Sequence, residues 1–522
     1  MRSAEFVLAL LIAVAALVTI ARRLGIAYPI FLVIGGLLLG LVPGLPRPHV
    51  APDLIFVLVL PPILYTTAFF TPLRSLGANL GNISSLAIGL IIATAAAVAV
   101  VAHVLIAGIT WPVALALGAI VAPSDEVAAA AIVARLAVPR RIVTLLEGES
   151  LLNDATALTI YRIAVAAAVG GALSWTGALT TFAVAALGGW AIGLAVGWMI
   201  AQIRTRIEDT PVEITISLLT PYAAFLPAEQ VGASGVIAAV VAGLYLGRRG
   251  SRIMGADVRL TGRAVWETIT FLLYGFVFIL TGLEMPQLLR SLTPSAAMQL
   301  VGIGVAVTGV LVAVRALWIF ATAYVPPLLR GQPRTPHLFA HSLVLSWAGM
   351  RGVVSLAVAL ALPLSLPDGG PFPAREAILV VTLTVIVLTL LGQGLTLPRL
   401  IRALQLGADA EVREEEGSAR QELVQAATRR IDQLYEVWPG HRPLLDRLRD
   451  TYRDRSEHVE RQRDPSNDGE DRELIEHREI RRTIIDSERE ALLRLRAEGA
   501  IDDDVMRSLE RELDLEEERM DA

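Results

Sequence analysis

The sequence predicts an all-α polytopic membrane protein, with about thirteen transmembrane helices in two inverted repeats, two unwound crossing helices, and a C-terminal cytoplasmic helical domain. Three observations carry this reading. Hydrophobic residues make up 54% of the 522 positions and mean hydropathy is +0.59, and apolar runs long enough to cross ~30 Å of hydrocarbon recur through the first four hundred residues. Charge is unevenly divided: up to Arg402 there are 24 Arg against 16 Asp and Glu, and beyond it 21 Arg against 34 acids. Three of the apolar runs are interrupted by polar residues near their middles.

The spans follow from apolar stretches bounded by Gly, Pro and charged breaks. The first, residues 5–21, is followed by Arg22 and Arg23; charges after the apolar segment instead of before it indicate a retained helix, not a signal-peptide core. Spans at 27–43 and 53–70 lead to Arg74, and spans at 80–108 and 112–135 lead to Arg135, Arg140 and Arg141. Next come 141–169 and 177–203, then Arg204 and Arg206; 211–227 and 230–247, then Arg248, Arg249, Arg252, Arg259 and Arg263. Spans at 264–284 and 296–325 precede Arg330 and Arg334, and spans at 338–364 and 374–397 precede Arg399 and Arg402. The opposite connections hold only Arg2, Arg47, Arg290 and Arg375. A bias of roughly seventeen to four places the N-terminus outside and the tail in the cytoplasm, because arginine collects on the cytoplasmic face.

Residues 1–400 therefore form the transmembrane part, and 401–522 a cytoplasmic, charged helical tail. Segments such as Ser418 to Tyr435 and Asp471 to Arg496 have sparse apolar positions at helical spacing among acids and arginines, with a loop at Pro465 to Asp471. So acidic a segment argues against nucleic acid as a partner. Cysteine is absent and every basic residue is arginine, which excludes disulfides, thiolate metal sites, a thiol nucleophile and Schiff-base chemistry.

The polar interruptions carry the chemistry. Span five contains Pro123-Ser124-Asp125-Glu126, span six Asn153-Asp154, and span twelve Ser346-Trp347-Ala348-Gly349-Met350-Arg351-Gly352. Asp125, Asp154 and Arg351 each lie roughly 20 Å from the start of their span at helical rise, so they can meet at one depth. Pro and Gly weaken the helical ladder there, freeing backbone groups as midplane ion sites require. Spans five and twelve cross in opposite directions, the relation expected of inverted repeats formed by spans one to six and eight to thirteen. Along span six, Glu147, Ser150 and Asp154 form one stripe and Glu149 and Asn153 a neighbouring one. Glu149 and Arg351 are expected to form an ion pair, while Arg162 and Arg315, nearer span ends, are expected to snorkel. His103 and His341 read as structural.

A carboxylate at bilayer depth is costly unless it binds a cation, holds a proton or finds a partner. At Asp154 a proton and a small cation would compete for the same oxygens, and mutually exclusive binding is antiport. Asp125, Ser124, Ser150 and Asn153 could complete a hard oxygen shell. A passive cation channel and an intramembrane aspartyl protease are the rival classes. No selectivity-filter-like loop supports the first, and neither aspartate lies in the Gly-x-Gly-Asp sequence typical of the second.

The runs Gly148 to Leu158, Ala122 to Ile132, Leu60 to Tyr65, Pro211 to Tyr222, Ser346 to Pro363 and Gly392 to Leu400 resemble, in order, the bacterial Na+/H+ antiporters of the monovalent cation:proton antiporter-1 family. The resemblance covers the membrane region. It implies a plasma-membrane homodimer, not an enzyme and without cofactor, that exchanges Na+ or Li+ for H+ by an elevator or rocking motion in pH and sodium homeostasis. It also implies that Asp154 carries ion and proton, that Asn153 and Asp125 flank it, that Glu149 and Arg351 form a structural pair, and that exchange is electroneutral. Two departures stand out. Ser124 replaces a common Thr and is followed by Asp125 and Glu126, and Tyr65-Thr66-Thr67 stands where some relatives carry a glutamate. Selectivity among Na+, Li+ and K+ therefore stays open.

Overall fold

A computed structural model describes residues 2–24, 27–42, 52–133, 136, 138–170, 175–290, 292–329, 338–366, 370–404, 406, 410–461, 470–498, 500 and 503–521. The chain divides into two compact units, Met1–Ala408 and Asp409–Ala522.

The described part of the first unit is built of helices. In chain order its helices are α1 (Arg2–Arg23), α2 (Tyr28–Leu41), α3 (Pro52–Phe70), α4 (Leu73–Ala78), α5 (Leu80–Ser84), α6 (Ile91–Leu105), α7 (Trp111–Val121), α8 (Glu126–Val133) and α9 (Arg140–Gly170). They continue as α10 (Trp175–Arg204), α11 (Thr210–Gln230), α12 (Gly235–Ile253), α13 (Ala256–Arg290), α14 (Pro294–Leu329), α15 (Leu338–Trp347), α16 (Val353–Leu360), α17 (Arg375–Leu388) and α18 (Gly394–Ala403). A π-helical turn, Ser85–Leu90, joins α5 to α6, and another, Thr389–Gln393, joins α17 to α18. Among the described residues, six helical stretches are long and apolar enough to cross a membrane: Leu80–Leu105, Arg140–Gly170, Phe182–Arg204, Ala256–Arg290, Pro294–Val325 and Arg375–Ala403. Shorter apolar helices fill in between them, including Tyr28–Leu41, Trp111–Val121 and Leu338–Trp347.

Local sequence explains several boundaries. Asp209 caps α11 by accepting from the Val212 amide at 3.0 Å, and Ser234 caps α12 by accepting from the Ile237 amide at 3.3 Å; each satisfies a backbone donor that the first helical turn leaves open. Pro112 and Pro211 sit in the first turns of α7 and α11, where no intrahelical donor is lost.

Helix is lost where polar residues interrupt the apolar runs. Between α7 and α8, residues 122–125 are non-helical, and between α15 and α16, residues 348–352 are. The two breaks meet: the Asp125 amide donates to the Met350 carbonyl at 2.8 Å. One ladder thus satisfies the other's freed backbone group, which makes irregular backbone tolerable at membrane depth.

Two sets of helices pack more densely within themselves than against each other. The first joins α2 with α13, and α12 with α3, α10 and α11; the second joins α7 with α6 and α9, and α14 with α6 and α17. The second unit consists of α19 (Ala410–Val437), α20 (Arg442–Arg461), α21 (Glu470–Ala497) and α22 (Asp503–Asp521), with α19 packed on α20 and α21 on α22. Of the loop expected at Pro465 to Asp471, residues 465–469 lie outside the described residues, and Glu470 already begins α21.

Candidate ion-binding site

The site is built where α9 passes the break between α7 and α8. Ser124 is its hub. The Ser124 hydroxyl donates to Glu149 Oε1 at 2.7 Å and accepts from Asn153 Nδ2 at 3.1 Å. Its carbonyl accepts from Asn153 Nδ2 at 3.1 Å and from the Ser150 hydroxyl at 3.5 Å. Glu149, Ser150, Asn153 and Asp154 are all buried, Asp154 being 3% exposed. Helical spacing presents them from consecutive turns of one helix, so a single serine in the facing break can engage three of them.

Ser124, Asp125, Ser150 and Asp154 line one small cavity of about 30 Å³, room for a water or one small, largely dehydrated cation. Thr67 of α3, Tyr274 of α13 and Ser355 of α16 close it, so both helix sets contribute. Two polar atoms at the site lack a hydrogen-bond partner among the described residues: Asn153 Oδ1, in a residue with no exposure, and Ser355 Oγ, in a residue 1% exposed. Leaving such a group unsatisfied costs about 1–3 kcal/mol. An oxygen-seeking ligand here would recover that cost. Among the described residues no three His, Asp or Glu converge as a chelating metal site, so hydroxyl and carbonyl oxygens would complete the shell around the two aspartates.

The expected Glu149–Arg351 ion pair is not formed. Glu149 is instead held by Arg315 of α14, Nη2 to Oε2 at 2.8 Å and Nη1 to Oε1 in parallel, with Arg315 Nε donating to the Leu345 carbonyl at 3.0 Å. Arg315 is 2% exposed, not snorkelling. The cause is packing: α14 (Pro294–Leu329) brings Arg315 against the break after α15, within reach of Glu149. Its side chain lies against the α-carbon of Gly349, where any Cβ would collide with it. Arg351 is also 2% exposed, its amide donates to Thr389 Oγ1 at 3.1 Å, and its Nε and Nη1 have no partner among the described residues. Arg162, also expected to snorkel, pairs with Glu229 of α11, Nη2 to Oε1 at 2.6 Å and to Oε2 at 2.7 Å. His103 is structural: its ring stacks on Trp111 and Nδ1 meets the Ile109 carbonyl at 2.9 Å. The Glu126 side chain lies outside the described residues.

A buried ion pair beside two carboxylates that share one small cavity in an apolar interior is a feature of an ion pathway. The model of the transmembrane sodium/hydrogen exchanger family matches residues 9–403. The chain belongs to the sodium/hydrogen exchanger family. An uncharacterised Na+/H+ exchanger of Mycobacterium tuberculosis is 36% identical across 98% of this chain and 96% of its own length. A Na+/H+ antiporter of Aphanothece halophytica is 33% identical over 74% of this chain and 71% of its own. A sodium, potassium, lithium and rubidium/H+ antiporter of Bacillus pumilus is 32% identical over 73% of this chain and 58% of its own. The structure of a sodium proton antiporter from Methanocaldococcus jannaschii superposes with a TM-score of 0.62 at 20% identity, covering 78% of this chain and 99% of that one.

As a member of this family the chain is a multi-pass secondary transporter of cations and not an enzyme. Sequence reasoning missed Arg315 and Ser355. A lone arginine inside a long apolar helix was the available signal for the first; nothing in the sequence distinguishes Ser355 from an ordinary helix-packing hydroxyl.

Proposed function

We propose that this protein exchanges Na+ or Li+ for H+ across the plasma membrane by competition of cation and proton at Asp154, as a bacterial member of its family. The observation that carries the reading is the small cavity shared by Asp154 and Asp125 and lined also by Ser124, Ser150 and Ser355. Two carboxylates sharing so little space disfavour each other's ionisation; one proton or one cation relieves the repulsion, and either excludes the other. The Ser124 carbonyl and the Asn153 side chain supply further oxygens for a hard monovalent ion.

Glu149 and Arg315 neutralise each other and fix Ser124, so the mobile charge is left to the aspartates. With Asn153 neutral, one cation out for one proton in would balance charge, an electroneutral exchange. The reading takes thirteen spans in two inverted repeats, a homodimer, an outside N-terminus, and a cytoplasmic tail that regulates transport. Movement of α9 with its crossing breaks against α3, α10, α12 and α13 would alternate access. Thr66 and Thr67 leave the α3 side of the cavity without a carboxylate, which keeps K+/H+ exchange as the second reading; the Bacillus pumilus relative is described as carrying both ions.

Proteoliposomes containing Asp154→Asn should show no Na+-driven proton movement while the protein remains folded. Substantial residual exchange would remove Asp154 from the central role.

A further inference from the structure

A second cavity, of about 480 Å³, lies on the adjoining face of α9, between that helix and α10 and α12. Leu152, Thr156 and Thr159 form its α9 wall; Trp190 and Leu244 are among the residues opposite. The two threonine hydroxyls of that wall are already satisfied. The Thr156 hydroxyl donates to the Leu152 carbonyl at 3.2 Å and the Thr159 hydroxyl to the Ala155 carbonyl at 2.7 Å, so water would find few partners. Among the described residues the only charged one in the lining is Arg248, at the arginine-rich end of α12. Its neighbour Arg249 lies 4.8 Å from the centre of the Tyr245 ring, keeping a second cation at that end.

Along α12 the lining of the groove runs from Ile237 to Arg248, roughly 16 Å at the helical rise. Its length is about half of the ~30 Å hydrocarbon core, which is the depth of one leaflet. We propose that it holds the acyl chain of an anionic glycerophospholipid whose phosphate is bound by Arg248. A basic residue at the mouth of an apolar groove between transmembrane helices matches an acidic headgroup.

The position gives the lipid a task. Helix α9 touches α10 and α12 only lightly, while it packs closely on α7, so the acyl chain fills the seam between the helix bearing Asp154 and the neighbouring helix set. Any sliding of α9 must run along that chain. The inference holds whichever monovalent ion is carried.

The test is native mass spectrometry of the full-length protein in neutral detergent, titrated with dioleoylphosphatidylglycerol or dioleoylphosphatidylcholine. The parent should retain phosphatidylglycerol about fivefold more strongly, the scale of one surface arginine. Arg248→Gln should erase that preference and Arg248→Lys keep it, while Leu244→Trp, which fills the groove, should lose both lipids. Melting temperatures in lipid-free detergent establish that each variant is folded. Equal retention of the two lipids by the parent, parent-like preference in Arg248→Gln, or parent-like lipid retention in Leu244→Trp would each overturn the proposal.

Discussion

The Asp125 carboxylate lies against the α-carbon of Gly352, occupying the space that a Cβ at that position would need. Together with the hydrogen bond from the Asp125 amide to the Met350 carbonyl, this makes the two helix breaks a single contact. An acid from one interrupted span is seated by the missing side chain of the other.

Gly352→Ala should therefore displace Asp125 from the shared cavity. The expected outcome is exchange reduced by at least about tenfold, with a stability loss of about 1–3 kcal/mol typical of overpacking. Transport and melting temperature measured on the same preparation check it; wild-type transport would show that Asp125 has no fixed place at the site.

Arg315→Ala should be among the most damaging single changes in the membrane unit. It leaves Glu149 charged and buried, at a cost of about 3–5 kcal/mol. Arg351→Ala should cost less, because no carboxylate loses its hydrogen-bond partner. Replacing Glu149 and Arg315 together by Gln and Met should recover part of the loss, since an apolar or neutral substitute avoids the unpaired charge. Melting temperatures of the four proteins decide the order.

In the tail, hydrogen bonds from Arg482 and then Arg489 hold the Glu517 carboxyl below its ordinary range. Arg482 Nε reaches Oε1 at 3.1 Å and Arg489 Nη2 reaches Oε2 at 2.8 Å, clasping α21 to α22. A depressed carboxyl contributes stability that is present above its unfolded value and disappears as pH falls through the folded one. Acidification below the usual carboxylate range should loosen α21 from α22, and Glu517→Gln should flatten that response. The chain has no cysteine, so spin labels on two introduced cysteines, one per helix, report the separation; identical pH profiles for parent and variant would rule out the clasp.

The membrane class, the two helix breaks and the crowding of polar groups along α9 were all legible in the sequence, because a polar residue within an apolar run is a strong signal on its own. Glu149's partner was not. Position along the apolar run put Arg315 nearer a span end than its middle, and only the packing of α14 against Gly349 shows where the guanidinium goes. Ser355 was hidden for a different reason: serine is common between membrane helices, and its unsatisfied hydroxyl becomes visible only once α16 closes the cavity beside Asp154.

Competition of one cation and one proton for the same oxygens at Asp154 is probed by calorimetric titration of Na+ and Li+ into the purified protein across a pH series. Cation affinity should fall as the solution is acidified, approaching tenfold weaker per pH unit once the free site is mostly protonated, and Asp154→Asn should remove the binding. Cation affinity that stays constant from alkaline to acidic pH would contradict that competition.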